Sequence, residues 1–151
     1  MDEKLYQKII VATDGTDYVK KAINTAISLS KLTGAELYAV YVADVSNITP
    51  TSAEWVLVSE NIKKESDAAL EYFKAEAEKA GIQYQTISLS GSAPGEIVQY
   101  ANQINADLII VGATGKKALE RMLLGSVSEK IVRTAKQQVL IVRYDAAENK
   151  S

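Results

Sequence analysis

The sequence predicts an α/β fold, an open and mostly parallel five-stranded sheet with helices on both faces. Five short apolar runs alternate with longer stretches whose apolar residues have helical spacing. The runs are nearly unbroken, which is typical of strands buried on both sides. Strands separated by helices need crossover connections, and such connections produce parallel neighbours.

The apolar runs predict strands at residues 8–12, 36–42, 82–89, 107–111 and 139–142. The third run alternates imperfectly between apolar and polar residues, so we expect it at an edge of the sheet. We also expect the fifth run at an edge, where unpaired backbone N–H and C=O groups can pair with another chain. Its residues are Val139, Leu140, Ile141 and Val142.

Two of the helices are predicted in the first half of the chain. Residues 17–33 have helical spacing, and Gly34 suits the left-handed position that follows a helix end. Thr51 and Glu54 have the form of a capping box, which predicts the start of a long helix. We expect that helix to end near Gly81.

Two further helices are predicted in the second half. Pro94 follows a turn at residues 91–95 and fits the first turn of a helix, where no amide donor is needed. The last helix is predicted over residues 127–136. We expect it to bury four side chains, those of Val127, Ile131, Val132 and Ala135.

Composition limits what the chain can do. Its 151 residues with 47% hydrophobic content predict one domain, residues 1–144, followed by a polar tail, residues 145–151. A net charge of −2 argues against binding to nucleic acid through a broad electrostatic attraction. The chain has no Cys and no His, so it lacks thiolate chemistry, disulfides and the commonest metal ligand and general base.

We expect a cytoplasmic protein without membrane contact. Residues 1–4 lack the apolar core of a signal peptide. Apolar runs in this chain are far shorter than the roughly 20 residues that span a bilayer.

The polar turns after three strands mark the candidate site. In an open parallel sheet, ligands bind beyond the carboxyl ends of the strands, where neighbouring connections diverge to opposite faces. Residues 12–16, 42–44 and the region of Gly112 follow the first, second and fourth strands. The sequence therefore predicts that these three segments converge on one crevice.

A spaced glycine signature lies in the last of these segments. Gly112, Gly115 and Gly125 are separated by two and nine residues, and Ser126 follows the third glycine. Glycines let the backbone approach a ligand closely, and a helix that opens with Gly-Ser presents amide donors to an anion. The P-loop and the dinucleotide fingerprint both need other spacings. The glycine pair alone also fits a tight turn.

This signature resembles that of the universal stress proteins, in the subgroup that binds ATP. The family signature is Gly-x2-Gly-x9-Gly followed by Ser or Thr, and every fixed position matches. The resemblance extends over nearly the whole chain, with Asp14 and Gly15 after the first strand and Pro94 before the third helix. It implies a Rossmann-like sheet with the strand order 3-2-1-4-5.

The resemblance also implies which residues contact the base. Ala12, Thr13 and Asp14 would line the adenine ring, and the backbone of Val42 would hydrogen-bond its edge. From the residues alone, Asp14 has an alternative role, because its carboxylate could close an Asx-turn.

The ribose and phosphate contacts implied by the resemblance lie in the glycine signature. Gly112 and Thr114 would lie along the ribose, with Gly115 and Lys116 beside the phosphates. Many family members have His or Arg where this chain has Thr114. Lys116 also fits an ordinary solvated surface lysine.

The start of the last helix would hold the phosphate oxygens. The resemblance assigns this contact to the amides of Gly125, Ser126 and Val127 and to the Ser126 hydroxyl. Ser126 with Glu129 also has the form of a capping box, in which the hydroxyl serves its own helix.

The resemblance implies a regulatory or sensor module of the stress response that binds ATP, with Mg²⁺ or Mn²⁺ held by the phosphates. Hydrolysis should be slow at most, so we do not expect an enzyme. The alternatives are a slow ATP hydrolase or adenylate-forming enzyme, and a nucleotide-free dimeric scaffold. Similar proteins form two-fold dimers through the last strand, from Val139 to Val142. A further protein partner, whose identity the sequence does not give, is also an expectation.

Overall fold

A computed structural model describes residues 4–44, 52–113 and 124–144 of the chain. These residues form one five-stranded sheet in the order β3-β2-β1-β4-β5, and each neighbouring pair is parallel. The predicted fold class and strand order are therefore confirmed. The strands are β1 Lys8–Ala12, β2 Glu36–Ala43, β3 Tyr84–Ser90, β4 Leu108–Gly112 and β5 Gln138–Val142.

Helices connect successive strands. They are α1 Lys20–Thr33, α2 Ser52–Ala80, α3 Ala93–Ile104 and α4 Ser126–Thr134. A 3-10 turn, Asp17–Val19, precedes α1, so the predicted first helix is divided in two. Gly34 has the predicted left-handed conformation, with φ 78°. Thr51 and the tail at residues 145–151 lie outside the described residues.

The third strand begins two residues later than predicted. Its neighbour β2 starts at Glu36, and the pairing of the two strands begins with Leu37 opposite Tyr84. Ile82 has no strand partner and packs against the hydrophobic core instead. Both predicted edge strands, β3 and β5, do lie at the edges of the sheet.

Side chains of β1 and β4 are buried on both faces of the sheet. Ile9 and Ile110 belong to the core under α1 and α2, together with Phe73. Ile10 and Ile109 belong to the core under α3 and α4. The alternation of strand side chains explains why these runs are almost entirely apolar.

The prediction for the buried face of α4 is wrong in part. Ile131 is fully buried, but Val127 and Val132 are 37% and 45% exposed. Ser128 is buried in their place, at 3% exposure. One side of α4 packs against α3, and the helix covers β5, which is the edge strand, so within the described part of the chain nothing lies beyond β5 to cover the other side of the helix.

No helix within residues 4–44, 52–113 and 124–144 combines the length and the apolar character that crossing a membrane requires.

Tyr38 is a buried polar group in the core under α3. Its side chain is 5% exposed, and its hydroxyl donates to the carboxylate of Glu36. Burial raises the pKa of Tyr38 to about 12, and the hydrogen bond and charge of Glu36 add to the effect. The neutral phenol is therefore the form that the fold accommodates.

We predict that stability falls in strongly alkaline solution. Tyr38 ionises near the ordinary tyrosine pKa of 10.0 in the unfolded chain and near 12 in the folded protein. Its stabilising contribution is therefore complete below pH 10 and is lost as pH rises through 12. The free energy of unfolding should fall by at most about 1.4 kcal/mol per pH unit from this group. Denaturant unfolding of the wild type and Tyr38→Phe between pH 9 and 12 measures it.

The Tyr38→Phe variant should lose less stability over this range. Some loss will remain, because burial also raises the pKa of Tyr41 and Tyr100. If the free energy of unfolding falls equally with pH in the variant and the wild type, the loss of stability does not come from Tyr38.

Candidate functional site

The carboxyl ends of β1 and β4 form the switch point of the sheet. The connection after β1 passes through α1, on one face, to β2. The connection after β4 leads to α4, on the other face, and then to β5. Because these two connections diverge, the topology predicts a crevice between the ends of β1 and β4. The predicted site residues of β1, β2 and β4 lie at this edge of the sheet.

Thr13 ties the loop after β1 to its surroundings. Its amide donates to the carbonyl of Val40 at 2.9 Å. Its buried hydroxyl donates to the carbonyl of Ala69 in α2 at 3.4 Å and accepts from the amide of Gly15 at 3.2 Å. The Thr13 side chain therefore packs the loop on α2, which leaves its backbone as the part that can line a crevice.

Asp14 closes an Asx-turn, the alternative that its sequence position allowed. Its Oδ1 accepts from the Thr16 amide at 3.0 Å and from the Thr16 hydroxyl at 2.6 Å. The turn holds the loop in a defined shape. Whether Asp14 also contacts a nucleotide stays a prediction.

Tyr41 bonds to Glu65 and lies close enough to Asp14 to feel its charge, although the sequence patterns assigned neither Tyr41 nor Glu65 to the site. The buried Tyr41 hydroxyl donates to Glu65 Oε2 at 3.4 Å. Burial raises the pKa of Tyr41, and the charges of Glu65 and Asp14 raise it further. Tyr41 and Glu65 are on β2 and α2, so only the tertiary structure brings them next to the β1 loop.

Gly15 lets the loop approach α2 closely. Its φ is +79°, and a Cβ built there would lie 3.0 Å from the Ala69 Cα and 3.1 Å from the Ala69 Cβ. The left-handed conformation and the close backbone contact both make a larger residue unfavourable here.

Val42 presents its backbone beyond the end of β1. The Thr13 amide bonds to Val40 on the β1 side of β2, and the Gly91 amide bonds to the Ala43 carbonyl on the β3 side at 2.8 Å. Backbone groups alternate between the two sides of a strand. Those of Val42 therefore face the β1 side, where the paired part of β1 has ended at Ala12.

The phosphate side of the predicted site is built around Ala113. Gly112 ends β4 opposite Val142, and the Ala113 amide donates to the Val142 carbonyl at 2.9 Å. The Ala113 carbonyl accepts from the Gly125 amide at 2.6 Å and from the Ser128 hydroxyl at 3.2 Å. These bonds fix the first turn of α4 next to the end of β4.

Within the described part of the chain, the amides of Ser126 and Val127 are free at the start of α4. Gly125 is the N-cap residue, and its own amide is engaged with Ala113, so in this conformation it is not a free donor for phosphate. The first intrahelical bond joins the Glu129 amide to the Gly125 carbonyl at 3.0 Å. The amides before Glu129 have no intrahelical acceptor. They are the groups with which a helix binds an anion.

The capping box that Ser126 and Glu129 could form is not present. Ser126 is the first helical residue rather than the cap, and the cap has no side-chain hydrogen bond. Among the described residues, the Ser126 hydroxyl is exposed and makes no hydrogen bond. No residue of the described ranges therefore competes with a ligand for this hydroxyl.

Thr114, Gly115 and Lys116 lie outside the described residues, and their predicted contacts stay predictions. Among the residues that are described, no group of three or more Asp and Glu side chains is placed to hold a metal ion.

A family model described as the Universal stress protein family matches residues 5–143. The chain belongs to the universal stress protein family. The Universal stress protein MJ0531 of Methanocaldococcus jannaschii is 44% identical over 143 residues, which cover 93% of this chain and 84% of that protein.

Solved structures of similar proteins have the same fold. The structure of the protein MJ0577 matches with a TM-score of 0.85 at 28% identity, covering 93% of this chain and 98% of that one. A universal stress protein solved in complex with cAMP matches with a TM-score of 0.62 at 26% identity, covering 91% and 97% of the two chains. Nucleotide binding therefore occurs within the family.

We predict that Gly15→Ala destabilises this universal stress protein more than Gly81→Ala. Both glycines have positive φ, +79° and +67°, but the space around a Cβ at Gly81 is open. The left-handed conformation costs about 1–2 kcal/mol in either variant. The contact with Ala69 should add about 1–3 kcal/mol in Gly15→Ala alone. Urea unfolding of the two variants measures the difference, and equal losses would contradict the close contact between the loop and α2.

Proposed function

We propose that this chain is a cytoplasmic regulatory module that binds ATP and changes its association with partners according to nucleotide state. The observation that carries the proposal is the start of α4, where the amides of Ser126 and Val127 and the Ser126 hydroxyl have no acceptor or donor among the described residues. These groups lie next to the switch point. The complex of a family member with cAMP supports a nucleotide as the ligand.

The backbone of Val42 suits the edge of adenine. Adenine has a donor at its exocyclic amino group and an acceptor at the neighbouring ring nitrogen. The carbonyl and amide of Val42 face the space beyond β1 and offer the complementary acceptor and donor. Guanine has an acceptor, O6, in place of the amino donor of adenine, so adenine is the base that this edge favours. Ala12, Thr13 and Asp14 would line the ring from the loop after β1.

The phosphates would lie between the segment with Gly115 and Lys116 and the start of α4. A hydrogen bond to a charged phosphate contributes about 1.5–3 kcal/mol, and a helix N-terminus adds roughly 0.3–1 kcal/mol. Several such bonds, from Ser126, Val127 and the segment with Gly115 and Lys116, sum to about 8 kcal/mol, which corresponds to micromolar affinity.

We propose that ATP is held rather than turned over. The chain contains no His and no Cys, which are the commonest general base and a common nucleophile. A Mg²⁺ or Mn²⁺ ion would accompany the nucleotide through its phosphates. Hydrolysis, where it occurs, would be slow.

We also propose a homodimer through β5. Within the described chain, β5 pairs only with β4, and Leu140 on its surface is 37% exposed. Val127 and Val132 are also exposed, on α4, which packs against the other face of β5. An unpaired edge strand with exposed apolar residues on it and on its covering helix favours a second copy of the chain as its partner.

Substitutions at Ser126 should separate the hydroxyl from the amide. Ser126 is the first residue of α4, where Pro is tolerated, and Gly125 before it is extended, as a residue before Pro must be. Ser126→Ala removes the hydroxyl and should weaken ATP binding about tenfold. Ser126→Pro also removes the amide and should weaken it about tenfold more. Isothermal titration calorimetry measures the affinities.

Two controls accompany this titration. Unfolding midpoints of both Ser126 variants should match the wild type, and GTP should bind the wild type at least about tenfold more weakly than ATP. Wild-type protein that binds neither ATP nor AMP at millimolar concentration, and releases no nucleotide on denaturation, would refute the proposal. Equal affinities in Ser126→Ala and Ser126→Pro would exclude the amide as a phosphate ligand.

The dimer is tested by adding a charge to β5. Leu140→Lys should produce a monomer, because a buried unpaired charge at an interface is strongly unfavourable. Leu32→Lys is the matched control, since Leu32 is 84% exposed near the carboxyl end of α1, and its substitution should leave the dimer intact. Light scattering coupled to size-exclusion chromatography reports the mass. A monomeric wild type at micromolar concentration would contradict the proposed dimer.

A further inference from the structure

Two tyrosines far apart in the sequence meet at the carboxyl edge of the sheet. The rings of Tyr18 and Tyr144 pack edge to face, with centroids 4.7 Å apart and an interplanar angle of 79°. Tyr18 is in the 3-10 turn after the β1 loop, and Tyr144 is the second residue after β5. This contact joins the first connection of the fold to the end of its last strand.

Tyr18 is closely tied to the base side of the proposed site. The Val19 amide donates to the Thr16 carbonyl at 3.3 Å, and Thr16 donates twice to the carboxylate of Asp14. Val19 itself is anchored in the core at 6% exposure. The position of the Tyr18 ring is therefore coupled to the loop that would line the adenine ring.

Tyr144 is tied to the phosphate side. Two residues before it, the Val142 carbonyl accepts from the Ala113 amide. The Ala113 carbonyl in turn accepts from the Gly125 amide and the Ser128 hydroxyl at the start of α4. A short run of hydrogen bonds thus connects the backbone near Tyr144 to the helix that would hold the phosphates.

We propose that Tyr144 is a positioning residue of the nucleotide site, which acts by holding Tyr18 and with it the loop from Asp14 to Thr16. This inference rests on the proposed ATP binding and extends it to residues outside the glycine signature and the strand ends. The ring contact fixes the loop that would bind the base relative to β4 and α4, which would bind the phosphates. It also places Tyr144, two residues after the edge strand β5, in direct contact with the 3-10 turn that follows the loop from Asp14 to Thr16.

Substitutions at Tyr144 test whether the ring is required. Tyr144→Phe keeps the ring and should bind ATP as the wild type does. Tyr144→Ala and Tyr144→Leu remove the ring and should weaken ATP binding about two- to tenfold, the range expected for loss of an aromatic pair. The leucine variant retains apolar bulk, so it separates ring packing from simple loss of volume. Thermal unfolding of each variant checks that it is folded.

A double-mutant cycle tests the coupling to Tyr18. Tyr18→Ala should weaken ATP binding about as much as Tyr144→Ala, and the double variant should bind no more weakly than either single variant, because all three lack the same contact. Adenosine affinity should fall by the same factor as ATP affinity, since the loop acts on the base side. A purely structural role would lower the unfolding midpoint without this pattern.

Three results would overturn the inference. They are wild-type affinity in Tyr144→Ala, losses that multiply in the double variant, and a loss for ATP that is absent for adenosine. Wild-type protein that binds neither ligand would instead refute the proposed function itself, so the two failures are distinguishable.

Discussion

The parallel pairing of β1 with β4 is the contact on which the rest of the structure depends. These central strands are buried on both faces, and Ile9 and Ile110 lie in one core while Ile10 and Ile109 lie in the other. Because the chain leaves β1 towards one face and β4 towards the other, the crevice at their carboxyl ends is a consequence of topology. The site needs no special side chain to create it.

Backbone groups, rather than side chains, carry most of the proposed chemistry. Among the residues that the structure describes, the amides of Ser126 and Val127 and the backbone of Val42 have no partner at the crevice, while the Thr13 hydroxyl and the Gly125 amide are used to build it. This division explains how a chain without His or Cys can still belong to a family in which nucleotides bind. The side chains hold the loops in position, and the backbone groups of those loops are the ones that would contact the nucleotide.

Short-range patterns predicted the elements well and the exposure of α4 poorly. The strands followed from apolar runs, and Gly34 followed from its place after a helix, because both signals act over a few residues. Helical spacing also predicted Val127 and Val132 as buried, yet they are exposed. Spacing identifies an apolar face but not what covers it, and the position of α4 over an edge strand is a property of the whole sheet.

The sequence by itself determined the α/β class, the order of elements and the glycine signature with its resemblance to universal stress proteins, since these depend on local periodicity and spacing. Only the tertiary structure decided which groups at the site are already engaged in contacts within the protein. Thr13 bonds to Ala69, Tyr41 to Glu65, and Tyr18 packs on Tyr144. Such contacts join residues that are distant along the chain, and a local pattern cannot encode a contact that exists only once the whole sheet has formed.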